Sequence, residues 1–388
     1  MSNILDYLAW RGDLSLTSDP FNSIDAVILS CLSYVDFAGV VPGKGNGRIT
    51  IKDATKKFFK LHSESELAKD KAFINFGPQL LKALAASERF QNAYLLNYVD
   101  DTDIEREIQF AAIEIDTSDG TPFISYRGTD DRIIGWKEDF NLSYMTVPAE
   151  IEAVLYLQDV MSGRKENFRL GGHSKGGHLA IYAASKATQD LAERAVNIYS
   201  FDGPGFGFNR DILNSSQFKK IQPRIEKFIP QTSVVGRLLT RTVAPVIVKS
   251  TELGIMQHNP MSWELCGKSF VTLASTDKLS DVVEETMTSW IEEMSLEERK
   301  VFVDELFSVF EASGCDTLSA MTKIRVKEMR AIVKRMRLIK SDSGEKVRTL
   351  VKIFFMNLNA LNEGTIDLLE EETKLRSLVA NIKNKTGK

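Results

Sequence analysis

One segment of the chain has the residue types and spacing of an acyl-transfer site, Gly172-His173-Ser174-Lys175-Gly176-Gly177. An apolar run, Phe168–Leu170, precedes it, and a segment with helical character, His178–Lys186, follows it. A serine in a sharp turn between a strand and a helix projects its hydroxyl above the sheet edge, and flanking glycines let the backbone turn without a Cβ clash. The pattern predicts a nucleophile elbow with Ser174 as the nucleophile. The alternative is a glycine-rich turn that contains a serine by chance.

A serine becomes nucleophilic when a base accepts its proton, and the chain offers four histidines as candidates. His62 lies in a charged amphipathic segment, while His173 and His178 lie close to the elbow, where we expect structural or packing roles. His258 lies in the loop segment Gln257–Trp263, after the serine, as the order Ser–Asp/Glu–His of hydrolases requires. We therefore predict His258 as the general base. The alternative is a loop histidine that caps backbone groups.

The acid that orients the base must lie between the serine and the histidine. Asp202 directly follows the strand-like run Val196–Phe201, and sites in α/β sheets lie at the carboxyl ends of strands. We predict Asp202 as the acid, with Asp211 and Glu252 as weaker alternatives because neither clearly ends a strand. Asp202 could instead only hydrogen-bond the backbone of the following Gly203-Pro204-Gly205 turn.

An oxyanion hole needs two fixed hydrogen-bond donors. The backbone N–H of Lys175, directly after the nucleophile, is the first candidate. The second is the loop Tyr126–Asp130, where Gly128 allows close approach of the backbone and Thr129 offers its N–H and hydroxyl. The alternative is an ordinary strand-to-loop turn, with Arg127 in a surface ion pair.

Several of these segments resemble those of class 3 lipases. Phe123–Thr129 resembles their F-R-G-T/S segment, the elbow matches their G-H-S-x-G-G, and Tyr199–Pro204 is similar to their strand ending in F-G-x-P. Together with Gln257–Trp263, they resemble the lipase-like bacterial family called domain of unknown function 2974. The resemblance spans about Asp25 to Ala274. It implies an α/β-hydrolase fold, and it carries over Ser174, His258 and the Thr129 region.

The chain departs from the class 3 pattern at the acid. Those lipases take their acid from the loop after the next strand, which corresponds to Gln231-Thr232-Ser233 here, and this segment has no carboxylate. The resemblance therefore implies that the acid either has moved to Asp202, as in pancreatic-type lipases, or is absent.

The elements around these residues indicate an α/β fold with a mixed, mostly parallel central sheet, since strands alternate with helices after an opening hairpin at about Ile108 to Tyr126. We predict an α/β-hydrolase domain with an N-terminal helical segment over residues 1–278. Residues 279–388 are predicted to form an all-helical C-terminal extension, with a capping box at Ser295–Glu298 and helices to about Ile382.

Residues 321–340 of the extension combine basic and apolar side chains. Such a helix suits peripheral contact with an anionic membrane, or its apolar stripe packs on the hydrolase core. The basic residues are Lys323, Arg325, Lys327, Arg330, Lys334, Arg335, Arg337 and Lys340, and the apolar ones are Ile324, Met329, Ile332, Val333, Met336 and Ile339.

Composition limits the class of protein. The 388 residues carry a formal net charge of −4, which argues against a nucleic-acid partner. The three cysteines, Cys31, Cys266 and Cys315, lie far apart, so we predict neither a disulfide framework nor a metal site, and no cofactor. The N-terminus lacks the pattern of a signal peptide, and we predict a cytoplasmic protein. The sequence does not specify an oligomeric state.

These features together predict a serine hydrolase of carboxylic esters, lipase-like or esterase-like, that acts through a Ser-His-Asp triad and an acyl-enzyme on a small-molecule or lipid ester. The alternatives are a non-catalytic interaction protein on a hydrolase fold, and an acyltransferase or thioesterase that uses the same triad. Six apolar residues near the site loops could line an acyl pocket or a lid, or could belong to the core: Phe206, Phe208, Val234, Val235, Leu238 and Leu239.

Overall fold

The computed structural model describes residues 2–63, 67, 76–103, 105–130, 132–321, 325–341 and 343–351. Within these ranges, one sheet of nine strands has the order β1-β2-β3-β4-β5-β6-β7-β8-β11, and β9 and β10 form a separate hairpin. The strands are β1 (Arg48–Thr50), β2 (Tyr94–Asp103), β3 (Ile108–Asp116), β4 (Phe123–Tyr126), β5 (Phe168–His173), β6 (Ala195–Phe201), β7 (Ile225–Pro230), β8 (Val246–Val248), β9 (Leu265–Cys266), β10 (Ser269–Phe270) and β11 (Thr272–Leu273).

The sheet is antiparallel from β1 to β4 and parallel from β4 to β8, and β11 closes its far edge antiparallel to β8. This is the mixed, mostly parallel sheet of an α/β-hydrolase fold, which confirms the predicted fold class. The predicted hairpin corresponds to β3 and β4, joined by a turn in which Gly120 has a φ of 75°. The last strand of the sheet, β11, is short: only Thr272 and Leu273 pair with β8, because Ser269 and Phe270 pair with β9 instead.

Helices cover both faces of the sheet. They are α1 (Ile4–Arg11), α2 (Ser23–Leu32), α3 (Ile51–Leu61), α4 (Gly77–Ala86), α5 (Ile133–Asn141), α6 (Pro148–Met161), α7 (Lys175–Lys186), α8 (Gln189–Arg194), α9 (Ser216–Ile221), α10 (Lys278–Glu293), α11 (Leu296–Glu311), α12 (Leu318–Met321) and α13 (Val326–Leu338).

The strand order explains which helices cover which face. Parallel strands added in sequential order through right-handed crossovers place their connecting helices on one face. Accordingly, α6 to α9 bury their apolar residues against one side of the sheet. The other side must be covered by different elements, and α1 to α4 supply them. Neighbouring residues of β4 divide between the two cores, Phe123 with the N-terminal helices and Ile124 with the crossover helices, as the alternation of a strand requires.

The C-terminal helices α10, α11 and α13 form a third core together with residues of α5. Phe302, Leu306 and Phe307 of α11 are buried there beside Ile133. Ile332, Met336 and Ile339 of the basic segment join the same core, so one face of α13 packs on neighbouring helices. Lys323 and Ile324 of that segment, and the predicted helices beyond residue 351, lie outside the described residues. No helix in the described ranges has both the length and the apolar character needed to cross a bilayer.

Candidate active site

The predicted elbow is a sharp turn between β5 and α7. Ser174 has φ 58° and ψ −134°, a strained conformation for a residue with a side chain, and it is 2% exposed. Its N–H donates to the carbonyl of Phe201 at 2.8 Å. The glycines are required by close approach: a Cβ on Gly172 would lie 2.2 Å from the backbone of Gly176, and one on Gly176 would lie 2.1 Å from the carbonyl of Tyr126. The turn therefore forms as the motif predicts.

Asp202 and His258 are in direct contact although 56 residues separate them in the chain. Nδ1–H of His258 donates to Oδ2 of Asp202 at 2.6 Å, and both residues are buried. Asp202 directly follows β6 and has a φ of 50°, and His258 ends a short 3₁₀ segment, Gly254–His258. In the described part of the chain, neither Asp211 nor Glu252 makes a hydrogen bond with His258.

The other carboxylate oxygen of Asp202 is also held. Its Oδ1 accepts from the hydroxyl of Ser233 at 2.6 Å and from the N–H of Gly236 at 3.1 Å. Ser233 lies in the loop that corresponds to the acid position of class 3 lipases, where this chain has no carboxylate. At this position the loop supplies a hydroxyl that orients Asp202, a role that the sequence did not predict.

The base loop lies against the elbow. The ring of His173 is 4.4 Å, centroid to centroid, from the ring of His258, and Nε2 of His173 is 2.7 Å from the carbonyl oxygen of His258. Nε2 of His258 is buried and has no hydrogen-bond partner among the residues described. The structure therefore joins the predicted acid to the predicted base and brings their loop to the elbow, but it contains no hydrogen bond between Nε2 of His258 and Oγ of Ser174.

The predicted oxyanion loop also adjoins the elbow. A Cβ on Gly128 would lie 2.2 Å from the hydroxyl oxygen of Tyr34, 2.3 Å from the carbonyl oxygen of His173 and 2.8 Å from Cβ of Ser174. The hydroxyl of Thr129 donates to Asp139 at 2.6 Å, so its proton is not free for an oxyanion. The backbone N–H groups of Thr129 and Lys175 have no acceptor in the described ranges.

Buried charges lie directly behind the elbow. Nζ of Lys175 forms an ion pair with Oε2 of Glu138 at 2.6 Å, and both side chains are fully buried. The neighbouring Asp139 lies 3.9 Å from the same ammonium group, and burial raises the pKa of its carboxyl to about 6. Sequence analysis missed these two acids, because nothing in the pattern of α5 indicates that it faces the side chain of Lys175.

Two other residues near the site have structural contacts. Nε2 of His178 is 3.0 Å from Oε1 of Glu150, and its Nδ1 is 3.1 Å from the carbonyl oxygen of Gly205, in agreement with the expected packing role. Arg127 pairs with Asp100 at 2.7 Å, but its guanidinium is buried rather than on the surface.

A narrow apolar slot beside the site has a cavity volume of about 40 Å³. Asp139 is one of its few polar lining groups, and Pro204 belongs to the turn after Asp202. Of the apolar residues singled out in the sequence, Val235, Leu238 and Leu239 line the slot, whereas Phe206 is buried in the core of the crossover helices. The C-terminal helices contribute Met287, Ile291, Met294 and Phe302 to the same lining. The helical extension therefore forms one wall of a slot whose other wall carries loops of the site.

A family model described as Mbeg1-like matches residues 84–308, which is more than half of the chain. No curated protein matches the chain. Among solved structures, the chain is similar to one described as "Crystal structure of M37 lipase", with 16% identity over 55% of this chain and 69% of that chain, and a TM-score of 0.32.

Proposed function

The chain belongs to the Mbeg1-like family, and from the geometry of its site we propose that it is a serine hydrolase of carboxylic esters. Ser174 is the nucleophile, His258 the general base and Asp202 the acid that orients it. The observation that carries the proposal is the 2.6 Å hydrogen bond between Asp202 and His258, on a loop that lies against the strained turn of Ser174.

Each residue has a defined role in the proposed reaction. Nε2 of His258 accepts the proton of Ser174 as Oγ attacks the ester carbonyl carbon, and the imidazolium formed is stabilised by Asp202. The N–H groups of Lys175 and Thr129 donate to the oxyanion of the tetrahedral intermediate. The intermediate collapses as His258 returns the proton to the leaving alcohol, which leaves an acyl group on Ser174. Water then attacks the acyl-enzyme with His258 again as base.

The apolar slot supports an ester with an apolar acyl group. Its lining is almost entirely carbon, and one of its few polar members, Asp139, accepts from Thr129 next to the proposed oxyanion donors. The slot is too narrow to hold an acyl chain unless α10 and α11 move apart, and the proposal includes this movement. Each CH₂ of a chain buried there would then contribute about 0.8 kcal/mol. The proposed substrate is therefore a lipid or small-molecule ester with such a chain.

The test is covalent labelling with a fluorophosphonate, followed by turnover of p-nitrophenyl esters. We expect labelling of the intact protein that is lost in Ser174→Ala, and ester hydrolysis that needs Ser174 and His258. A folded protein that neither labels nor hydrolyses any ester of the series would instead be a non-catalytic member on the same fold. Product analysis with added alcohol and thiol acceptors distinguishes hydrolysis from acyl transfer, since the acyl-enzyme is common to both.

A further inference from the structure

His173 contacts three parts of the molecule at once. It ends β5 directly before the nucleophile, and its imidazole is fully buried. Its Nε2 lies 2.7 Å from the backbone carbonyl oxygen of His258, and its Nδ1 lies 2.9 Å from the hydroxyl of Tyr34, just after α2. One side chain therefore links the strand of the nucleophile, the loop of the base and the N-terminal helices.

The hydrogen-bond partners determine the tautomer of His173. A carbonyl oxygen can only accept, so Nε2 must carry a hydrogen. Burial keeps the pKa of His173 well below its usual range, so the ring is neutral and carries one N–H. Nδ1 is then an acceptor, and the hydroxyl of Tyr34 must be its donor. The direction of both bonds follows, from Tyr34 to His173 and from His173 to the carbonyl of His258.

We propose that His173 is a positioning residue for the general base, with Tyr34 holding its imidazole in the tautomer that donates to the backbone carbonyl of His258. The inference rests on the proposed function, because it assigns to His258 the role of base. His258 is then fixed at two points, its ring by Asp202 and its backbone by His173.

The other anchors of this loop lead to a different element. The side-chain amide of Gln257 makes two hydrogen bonds with Thr232, which follows β7, at 2.8 and 2.9 Å. These bonds hold the loop to the acid side of the site. The bond from His173 holds it to β5, and so sets the position of the base relative to Ser174.

Nε2 of His258 must come within about 3 Å of the serine hydroxyl in the reacting complex. A misplacement of about 1 Å can cost about 100-fold in rate. Loss of the bond from His173 leaves the backbone of His258 free to shift while Asp202 still holds its ring. We therefore expect kcat to fall about 10- to 100-fold without His173, with little change in KM, since no substrate group contacts His173 in the proposed complex.

The test compares His173→Leu with His173→Gln, and adds Tyr34→Phe to the wild type and to the Gln variant. Gln has an amide that can donate to the carbonyl of His258 and has no tautomer for Tyr34 to select, whereas Leu fills the space without a donor. Measurements are kcat and KM for a short ester and the thermal midpoint. The far-downfield proton resonance of the His258–Asp202 hydrogen bond is followed as well, because it reports the position of the base without catalysis.

We expect His173→Leu to lower kcat and to shift or broaden the resonance. His173→Gln should keep most of the wild-type kcat and a resonance close to that of the wild type. Tyr34→Phe should lower kcat several-fold in the wild type but only slightly in the His173→Gln background. Equal impairment of folded Gln and Leu variants, or a Leu variant with wild-type kcat and resonance, would overturn the assignment. If Leu does not fold, the two Tyr34→Phe comparisons decide. A wild type that shows the resonance but no activity dependent on Ser174 would refute the proposed function and not the hydrogen-bond arrangement.

Discussion

The ammonium group of Lys175 lies 2.6 Å from the carboxylate of Glu138, in an ion pair fully enclosed by the protein. The same ammonium donates to the carbonyl of Gln109 at 3.0 Å, and Glu138 also accepts from the N–H groups of Gln109 and Ala149, each at 3.1 Å. The pair ties the first residue of α7 to α5 and β3. It therefore fixes the backbone N–H of Lys175 that we assign to the oxyanion.

Lys175→Met should destabilise the protein strongly, because it leaves the charge of Glu138 buried without a partner. Breaking such a pair costs about 3–5 kcal/mol in the free energy of unfolding, which urea denaturation measures. The double variant with Glu138→Gln should recover part of the loss. Lys44→Met is the matched control, because its exposed pair with Asp159 is worth about 1 kcal/mol or less. Equal losses for Lys175→Met and Lys44→Met would contradict the argument.

The identity of the acid gives a second prediction. Asp202→Asn should lower kcat by about 10⁴-fold, since an amide favours the wrong tautomer of the base. Ser233→Ala should cost about tenfold, because Gly236 still donates to the carboxylate. Both are measured as turnover of a short p-nitrophenyl ester, with Asp211→Asn as a control that should leave turnover unchanged. A fully active Asp202→Asn would remove Asp202 from the proposed mechanism.

The sequence allowed the positions of Ser174, Asp202 and His258 to be predicted because each follows from a local pattern plus a chain order. Asp202 ends a strand next to the elbow strand, and parallel neighbours bring their carboxyl ends to one edge. The contacts of Glu138 and Asp139 in α5, and that of Tyr34, could not be predicted in this way. Tyr34 meets His173 across 139 residues, and only the packing of the N-terminal helices against the sheet sets that contact.

The fold, like the site, could be predicted only in part from the sequence. Alternating strands and helices predict a parallel sheet, since each element has its own periodicity. The periodicity of the C-terminal helices shows that they have an apolar face, but it does not show what that face covers. In the structure they pack on α5 and line the slot with Val235 and Leu238. The contact of the extension with this slot is therefore visible only in three dimensions.

Asp139 gives a prediction for the pH dependence of stability. Burial raises its folded-state pKa from 3.8 to about 6, so folding opposes its ionisation. Its contribution to stability is fully present below about pH 4, is lost as the pH rises to about 6, and stays lost above that. Asp139→Asn should therefore gain stability relative to the wild type between about pH 4 and pH 6, as measured by urea unfolding across pH.

Asp19 is the control of opposite sign for this measurement. Its hydrogen bond to Arg11 lowers its pKa from 3.8 to about 2. The stability that it contributes is present above about pH 4 and is lost as the pH falls toward 2. The free energy of unfolding of Asp19→Asn should therefore approach the wild-type value only in acid. If the free energies of unfolding of Asp139→Asn and the wild type change with pH in parallel, the assignment for Asp139 is contradicted.

Filling the apolar slot from the C-terminal side should change acyl-chain selectivity. Met287 of α10 lines the slot and is 8% exposed, so Met287→Trp fills the slot and prevents it from widening. We expect kcat/KM for long-chain p-nitrophenyl esters to fall about tenfold or more while acetate hydrolysis stays near the wild-type value. Glu285→Trp, at an exposed position on the same helix, should change neither. If kcat/KM falls equally for the acetate and the long-chain esters, the acyl chain does not bind in this slot.

The exposed face of α13 leads to the prediction of membrane contact. Its buried face uses Ile332 and Met336, yet Val326 and Leu338 are 67% and 57% exposed beside basic residues. Each basic residue near an anionic surface contributes about 1 kcal/mol to binding. We therefore expect the protein to float with phosphatidylserine vesicles but not with phosphatidylcholine vesicles, and less so as salt is raised.

Charge-reversal variants show whether membrane binding depends on α13 or only on the net charge of the protein. Replacement of the exposed Arg330, Lys334 and Arg337 of α13 by Glu should abolish flotation, because it removes the local positive field and introduces repulsion. The matched control reverses three exposed lysines elsewhere in the chain, Lys165, Lys186 and Lys220, with the same change in net charge. Equal flotation of the two triple variants, or no flotation of the wild type, would contradict membrane contact through α13. The basic residues of α13 would then only face the solvent, and the packing of its apolar face on α11 would explain why the helix forms.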